Sequence, residues 1–166
     1  MDRFIFRGIT LKNGEQTFFI NTKKLEGQWV TGSLITQYNS HRELEYFIAS
    51  FLDDGKKTPI IPETVSLYSG QKDIYDTPLF SNDIVQYVLA DDFLVTGIIR
   101  FDTYNYDPFL TINGFFLDTL NAKKISDRDY PINYVEDPTS FSLSDKKLVK
   151  VGNKFENYDQ FLRKKN

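Results

Sequence analysis

The chain has 166 residues, 16% of them aromatic, a formal net charge of -3 and a single His. Aromatic side chains at that density, beside only 9 Gly and 6 Pro, exclude a disordered, collagen-like or linker polymer and suffice for a core at this length. With no Cys, disulfides, thiolate metal sites and cysteine nucleophiles are excluded; with one His, triads and two-His metal sites are too, so composition speaks against an enzyme, a resident metal or a cofactor.

Taken in chain order, the periodicity is that of strands. Phe4, Phe6 and Gly8 alternate with Ile5 and Arg7, while Arg3 and Arg7 break up the apolar letters of residues 1–10, so no leader is expected there. Asn13-Gly14 lies between Ile9-Thr10-Leu11 and Thr17-Phe18-Phe19-Ile20 and predicts a tight hairpin, because such a turn needs positive φ at both central residues. Trp29 with alternating Val30, Gly32 and Leu34 predicts a core strand pairing with that hairpin. His41 sits in the polar stretch Tyr38-Asn39-Ser40-His41-Arg42 and reads as an exposed turn residue. The following run, Arg42 to Phe51, reads as a strand rather than a helix, with Asp53-Asp54-Gly55 turning it towards Pro59-Ile60-Ile61.

Further along, Val85, Tyr87 and Leu89 alternate with Gln86 and Val88. Val95, Gly97, Ile99 and Phe101 form one face of a strand against Thr96, Ile98 and Arg100. Asp91-Asp92 between these runs reads as a hairpin end rather than a divalent-cation loop. Asn113-Gly114 predicts a third tight hairpin, between Phe109 to Ile112 and Phe115 to Leu117. Residues 126–144, with Pro131 and Pro138, read as a long surface loop. Asn157 to Lys164 begins with a capping residue, carries Asp159 in its first turn and bases in its last, and predicts a short C-terminal helix.

Charge is unevenly spread. Residues 1–72 carry 9 basic and 8 acidic side chains, residues 73–145 carry 4 and 13, and residues 146–166 carry 7 and 2, giving +1, -9 and +5. An acidic middle before a basic end permits an electrostatic match within one chain, a match between subunits, or an anion-binding patch at Lys146, Lys147, Lys150 and Lys154. The second candidate surface is aromatic: Tyr104, Tyr106 and Phe109, with Phe115 and Phe116, cluster around Asn105, Asp107 and Asn113 and suit a protein partner better than a nucleic acid, since acids rather than bases separate the rings. Carboxylates that could pair for acid–base work (Asp102, Asp107, Asp118, Asp127, Asp129) carry no spacing that selects two of them. The chain holds no P-loop, no G-x-G-x-x-G and no G-x-S-x-G.

The ordered series Phe6-Arg7-Gly8, Gly27-Gln28-Trp29-Val30-Thr31-Gly32-Ser33-Leu34-Ile35, Pro62-Glu63-Thr64-Val65-Ser66-Leu67-Tyr68-Ser69-Gly70, Asp73, Asn82-Asp83-Ile84-Val85 and Val151-Gly152-Asn153-Lys154-Phe155-Glu156-Asn157 resembles the YopX family of small phage and prophage proteins. The resemblance implies a mostly β fold with barrel-like parts, self-association and a phage or prophage origin, with no defined molecular activity and no site residues to carry over. Asp76-Thr77-Pro78-Leu79-Phe80 departs from the family's glycine-containing turn, and residues 102–145 run longer than in the family.

The expectation is therefore one mostly β, barrel-like domain over 1–166, with a core over 1–101, an extended hairpin and loop over 102–145, and a terminal strand and helix over 146–166. Its expected role is a non-enzymatic protein-binding module of the bacterial cytoplasm, homo-oligomeric, without a membrane partner. The alternatives are a protein that sequesters a nucleotide-type signal, and then nucleic-acid binding through the basic end.

Overall fold

A computed structural model describes residues 4–11, 16–20, 23–50, 54–89, 93–107, 110–125 and 147–161. The chain divides into two compact units, Met1–Tyr68 and Ser69–Asn166.

The first unit holds β1 (Phe6–Thr10), β2 (Gln16–Ile20), β3 (Lys23–Tyr38), β4 (Leu44–Ser50) and β5 (Lys57–Pro59), then a short 3-10 segment over Pro62–Thr64 and the start of β6 (Ser66–Lys72). The order is β5-β4-β3-β1-β6, all antiparallel where paired, with β2 also on β3. The 16-residue β3 organises the unit: residues 23–27 pair with β2, residues 28–32 with β1 and residues 32–38 with β4. Two of its glycines allow that crowding. A Cβ on Gly27 would lie 2.7 Å from the Thr10 carbonyl oxygen, and one on Gly32 would fall on the Ala49 carbonyl.

Ile9, Phe18, Ile20, Ile48 and Ile60 form the buried apolar set of this unit. Trp29 meets Phe18 edge-on with centroids 5.7 Å apart, and the buried Arg7 guanidinium lies 4.3 Å above the indole. The segment Pro62-Glu63-Thr64 is a clasp. Thr64 Oγ1 accepts the Ile9 N–H at 2.9 Å and donates to the Ile61 carbonyl at 2.6 Å, while the Ile61 N–H donates to the Ile9 carbonyl.

In the second unit β6 runs on from Ser69 beside β7 (Pro78–Phe80), and a separate antiparallel sheet has the order β10-β9-β8-β11. Its strands are β8 (Asp83–Leu89), β9 (Phe93–Asp107), β10 (Leu110–Lys124) and β11 (Val149–Asn153). Leu79, Val85, Tyr87, Val95, Ile99, Leu117 and Leu148 form its core, with Leu89, Phe93, Phe115 and Ala122 packed around it. At about 2 kcal/mol for each large side chain removed from water, this cluster is the main source of cohesion here.

The fold is mostly β, in two antiparallel sheets. Three sequence expectations need correction, and a fourth, the Asn13-Gly14 hairpin, lies outside the described residues, the strands on either side of it each pairing with β3. Neither sheet closes on itself, so the barrel is not formed. Asn113-Gly114 is strand rather than turn, opposite Thr103 and Asp102 in the middle of β10. The C-terminal helix is only a 3-10 turn over Tyr158–Gln160, because the expected cap is committed elsewhere: Asn157 Oδ1 accepts the Asn153 N–H at 3.0 Å and Asn157 Nδ2 donates to the Val151 carbonyl at 3.3 Å.

Other readings hold. Asp54 and Gly55 turn between β4 and β5 with φ of 46° and 74°. Residues 44–50 are strand, and β8 pairs with β9 up to Leu89 opposite Phe93. Gly70 is at φ 80°, though it lies within β6 rather than closing a strand. Asp91-Asp92 and the loop over 126–144 lie outside the described residues. Among the described residues no helix is long and apolar enough to cross a membrane.

Candidate functional site

The aromatic candidate falls on β9 and β10. These fifteen-residue strands pair along their whole length, but β8 accompanies β9 only to Ile98, opposite Ile84. The Asn82 N–H then donates to the Ile99 carbonyl at 2.8 Å, and beyond that point β9 and β10 continue, among the described residues, as a two-stranded ribbon. Opposite residues of an antiparallel pair share a face, so Phe101 with Phe115 and Thr103 with Asn113 lie on one side, and Arg100 with Phe116 and Asp102 with Gly114 on the other.

The two sides differ in chemistry. On the first, the half-exposed Phe101 ring sits 4.8 Å from Phe115, and the Thr103 hydroxyl donates to Asn113 Oδ1. On the second, Arg100 Nε lies 3.3 Å from Asp118 Oδ2, and Asp102 is exposed. Tyr104 stands opposite Ile112 in the register; the side chains of Tyr104 and Tyr106, and Phe109 altogether, lie outside the described residues.

The basic candidate is broken up by pairing. Lys150, on β11, places its ammonium 3.1 Å from Asp83 Oδ1, and Asp83 is fully buried at the start of β8, where its other oxygen accepts the Phe80 N–H at 2.9 Å. The Lys150 backbone N–H donates to Asp73 Oδ2 at 3.2 Å. Lys147 and Lys154 are exposed on either side of β11, Lys154 with its ammonium 5.9 Å from the Phe155 ring centroid, and Lys146 lies outside the described residues. Part of the acidic middle therefore meets the basic end within one chain.

Asp73 has no sequence signal beyond an acid at the head of a turn, yet it organises the residues that follow. Its Oδ1 accepts the N–H groups of Tyr75 (2.9 Å) and Thr77 (2.8 Å), Asp76 closes the turn at φ 65°, and Lys72 pairs with Asp76 at 2.7 Å. Burial opposes the Asp73 charge most strongly of any single effect, but the N–H groups of Thr77, Lys150 and Tyr75 and the Thr77 hydroxyl together outweigh it and hold the carboxyl below its usual value. A general acid needs the opposite displacement. Among the described residues the other displaced group is Tyr87, whose phenol burial pushes up. His41 is an exposed turn residue whose N–H donates to Asn39 Oδ1 at 2.9 Å. Asp102 is on the ribbon and Asp118 at its base, opposite Ile98; the side chain of Asp107, and Asp127 and Asp129, lie outside the described residues.

Compared with known proteins, the chain matches no family model, no curated protein and no solved structure.

Proposed function

We propose that the chain is a non-enzymatic protein-binding module, acting on a host or phage protein in the bacterial cytoplasm through the outer part of the β9–β10 ribbon. The observation that carries this is that β9 and β10 outrun β8, extending past Ile98 with the Phe101 ring half exposed. Projecting aromatic groups on a rigid strand scaffold are the usual anchors of protein interfaces. The phage or prophage setting rests on the YopX-like residue series alone. Sequestration of a nucleotide-type signal is weakened by Lys150, whose charge Asp83 already neutralises, and nucleic-acid binding through the same basic end is weakened equally.

The test is affinity purification from bacterial cells, with mass spectrometry of co-eluting proteins and of small molecules released by heating. The native chain should retain a stoichiometric protein that the Tyr104→Ser/Tyr106→Ser/Phe109→Ser variant loses while melting within about 5 °C of native. Retention of the partner by that variant, or release of a nucleotide in place of a protein, would overturn the proposal.

A further inference from the structure

We infer, resting on the protein-binding role of the ribbon, that the partner docks by strand addition: an extended segment of alternating apolar and basic residues pairs antiparallel with β9 from Phe101 outward, in line with β8. Successive residues of a strand direct their N–H and C=O groups to opposite neighbours. The Ile99 carbonyl points to the β8 side, where it accepts the Asn82 N–H. Phe101 and Thr103 therefore aim their backbone groups the same way, while Arg100 and Asp102 aim theirs at β10. β8 begins at Asp83, just after Asn82 at φ 69°, and among the described residues no strand lies beside β9 past that point. Phe101, Asp102 and Thr103 are all exposed. The Thr103 N–H, directed to that side, donates instead to the carboxylate of its own neighbour, Asp102 Oδ1, at 2.7 Å.

Side chains along this edge select the segment. Phe101, its half-exposed ring 4.8 Å from Phe115, stands on one side of the ribbon and Asp102 on the other. In antiparallel pairing the residue opposite Phe101 shares its side and exchanges both backbone hydrogen bonds with it, so an apolar side chain fits there. The next residue stands opposite Asp102 as a pair without backbone bonds, the kind whose side chains approach most closely, and a Lys or Arg there meets an exposed carboxylate. Arg100, on the same side as Asp102, does not oppose that cation, because Asp118 Oδ2 holds it at 3.3 Å. The third residue returns to the Phe101 side opposite Thr103, whose N–H passes from Asp102 to the incoming carbonyl as the carboxylate turns to the incoming cation. Residues 73–145 carry 4 basic and 13 acidic side chains, so the wider field also draws a basic strand. Backbone bonds would give the affinity and the alternation the specificity.

The experiment titrates the full chain with an end-blocked synthetic peptide of about ten residues, alternating Val and Lys, at low salt, following the backbone amide signals by NMR. The peptide should bind and shift the amides of Phe101 and Thr103 most. A peptide alternating Val and Glu should bind at least about fivefold more weakly, and Asp102→Lys should reverse that order. N-methylation of the Val amides, which face β9 in this register, should weaken binding about tenfold or more, and N-methylation of the Lys amides, which face away, much less. The methylated peptides are measured on the native chain, so they decide even if Asp102→Lys fails to fold. No binding of the Val–Lys peptide, a preference for the Val–Glu peptide, or indifference to methylation of the Val amides overturns the inference. If the native chain then still retains a protein in the affinity purification, strand addition falls alone; if it retains none, the binding role of the ribbon falls with it.

Discussion

Removing the ammonium of Lys150 should be among the most damaging single changes in the second unit. Asp83 is fully buried, with one oxygen satisfied by the Phe80 N–H and the other by Lys150 at 3.1 Å, whose side chain is 23% exposed. Lys150→Met keeps most of the methylene stem and leaves a buried carboxylate without its cation, a loss usually worth about 3–5 kcal/mol; because water reaches the lysine end, about 3 kcal/mol is expected. For a chain of this length that corresponds to a fall in Tm of roughly 6–12 °C. Asp83→Asn combined with Lys150→Met removes both charges but keeps an oxygen for the Phe80 N–H, so the double variant should lie within about 1 kcal/mol of native. Urea unfolding of the native, single and double variants measures both values. A single variant within about 1 kcal/mol of native, or a double variant as unstable as the single, would show that the ammonium is not what compensates Asp83.

Asp73 should give the acid limb of stability part of its slope. Because its folded pKa lies below the unfolded one, its contribution is complete above the ordinary carboxylate value of about 3.9 and disappears as pH falls through the lower folded value. Asp73→Asn should therefore lose about 1–3 kcal/mol at pH 7 and show a flatter decline below about pH 4, read from urea midpoints against pH. Gly32→Ala should cost about 3 kcal/mol, since the Ala49 backbone carbonyl that its Cβ meets cannot rotate away, whereas Gly114→Ala, with open space and no positive φ, should stay within about 1 kcal/mol of native; urea unfolding of the two variants reads both. Thr64→Val should cost about 2 kcal/mol in thermal unfolding by stranding the Ile9 N–H.

What the sequence could reveal depended on whether a signal was local. Asp54-Gly55 and Asn113-Gly114 are equally good turn dipeptides, yet only the first turns, with both residues at positive φ. At 113–114 strand pairing continues on both sides, and the glycine's freedom is not used for reversal. On either side of Asn13-Gly14, which lies outside the described residues, β1 and β2 each pair with the long β3, a partner no turn dipeptide could have named. The C-terminal helix lost its cap to Asn153 and Val151, at the end of β11 just upstream, a competing use of the Asn157 side chain that a capping pattern does not reveal.

The charge sums carried the right signs but not the partners. Sums of -9 and +5 permit a match within a chain or between two, and what selects Asp83 for Lys150 is the pairing of β11 with β8, a contact between residues far apart in the chain. The same pairing delivers the Lys150 backbone N–H to Asp73, so one strand docking event serves two carboxylates inside the unit. It also removes the most central cation from the basic candidate surface and leaves Lys147 and Lys154 apart from the pair. A basic segment whose middle lysine is consumed by a buried acid is better understood as a clasp for β11 than as an anion site, and the search for a partner moves to the strands that outrun β8.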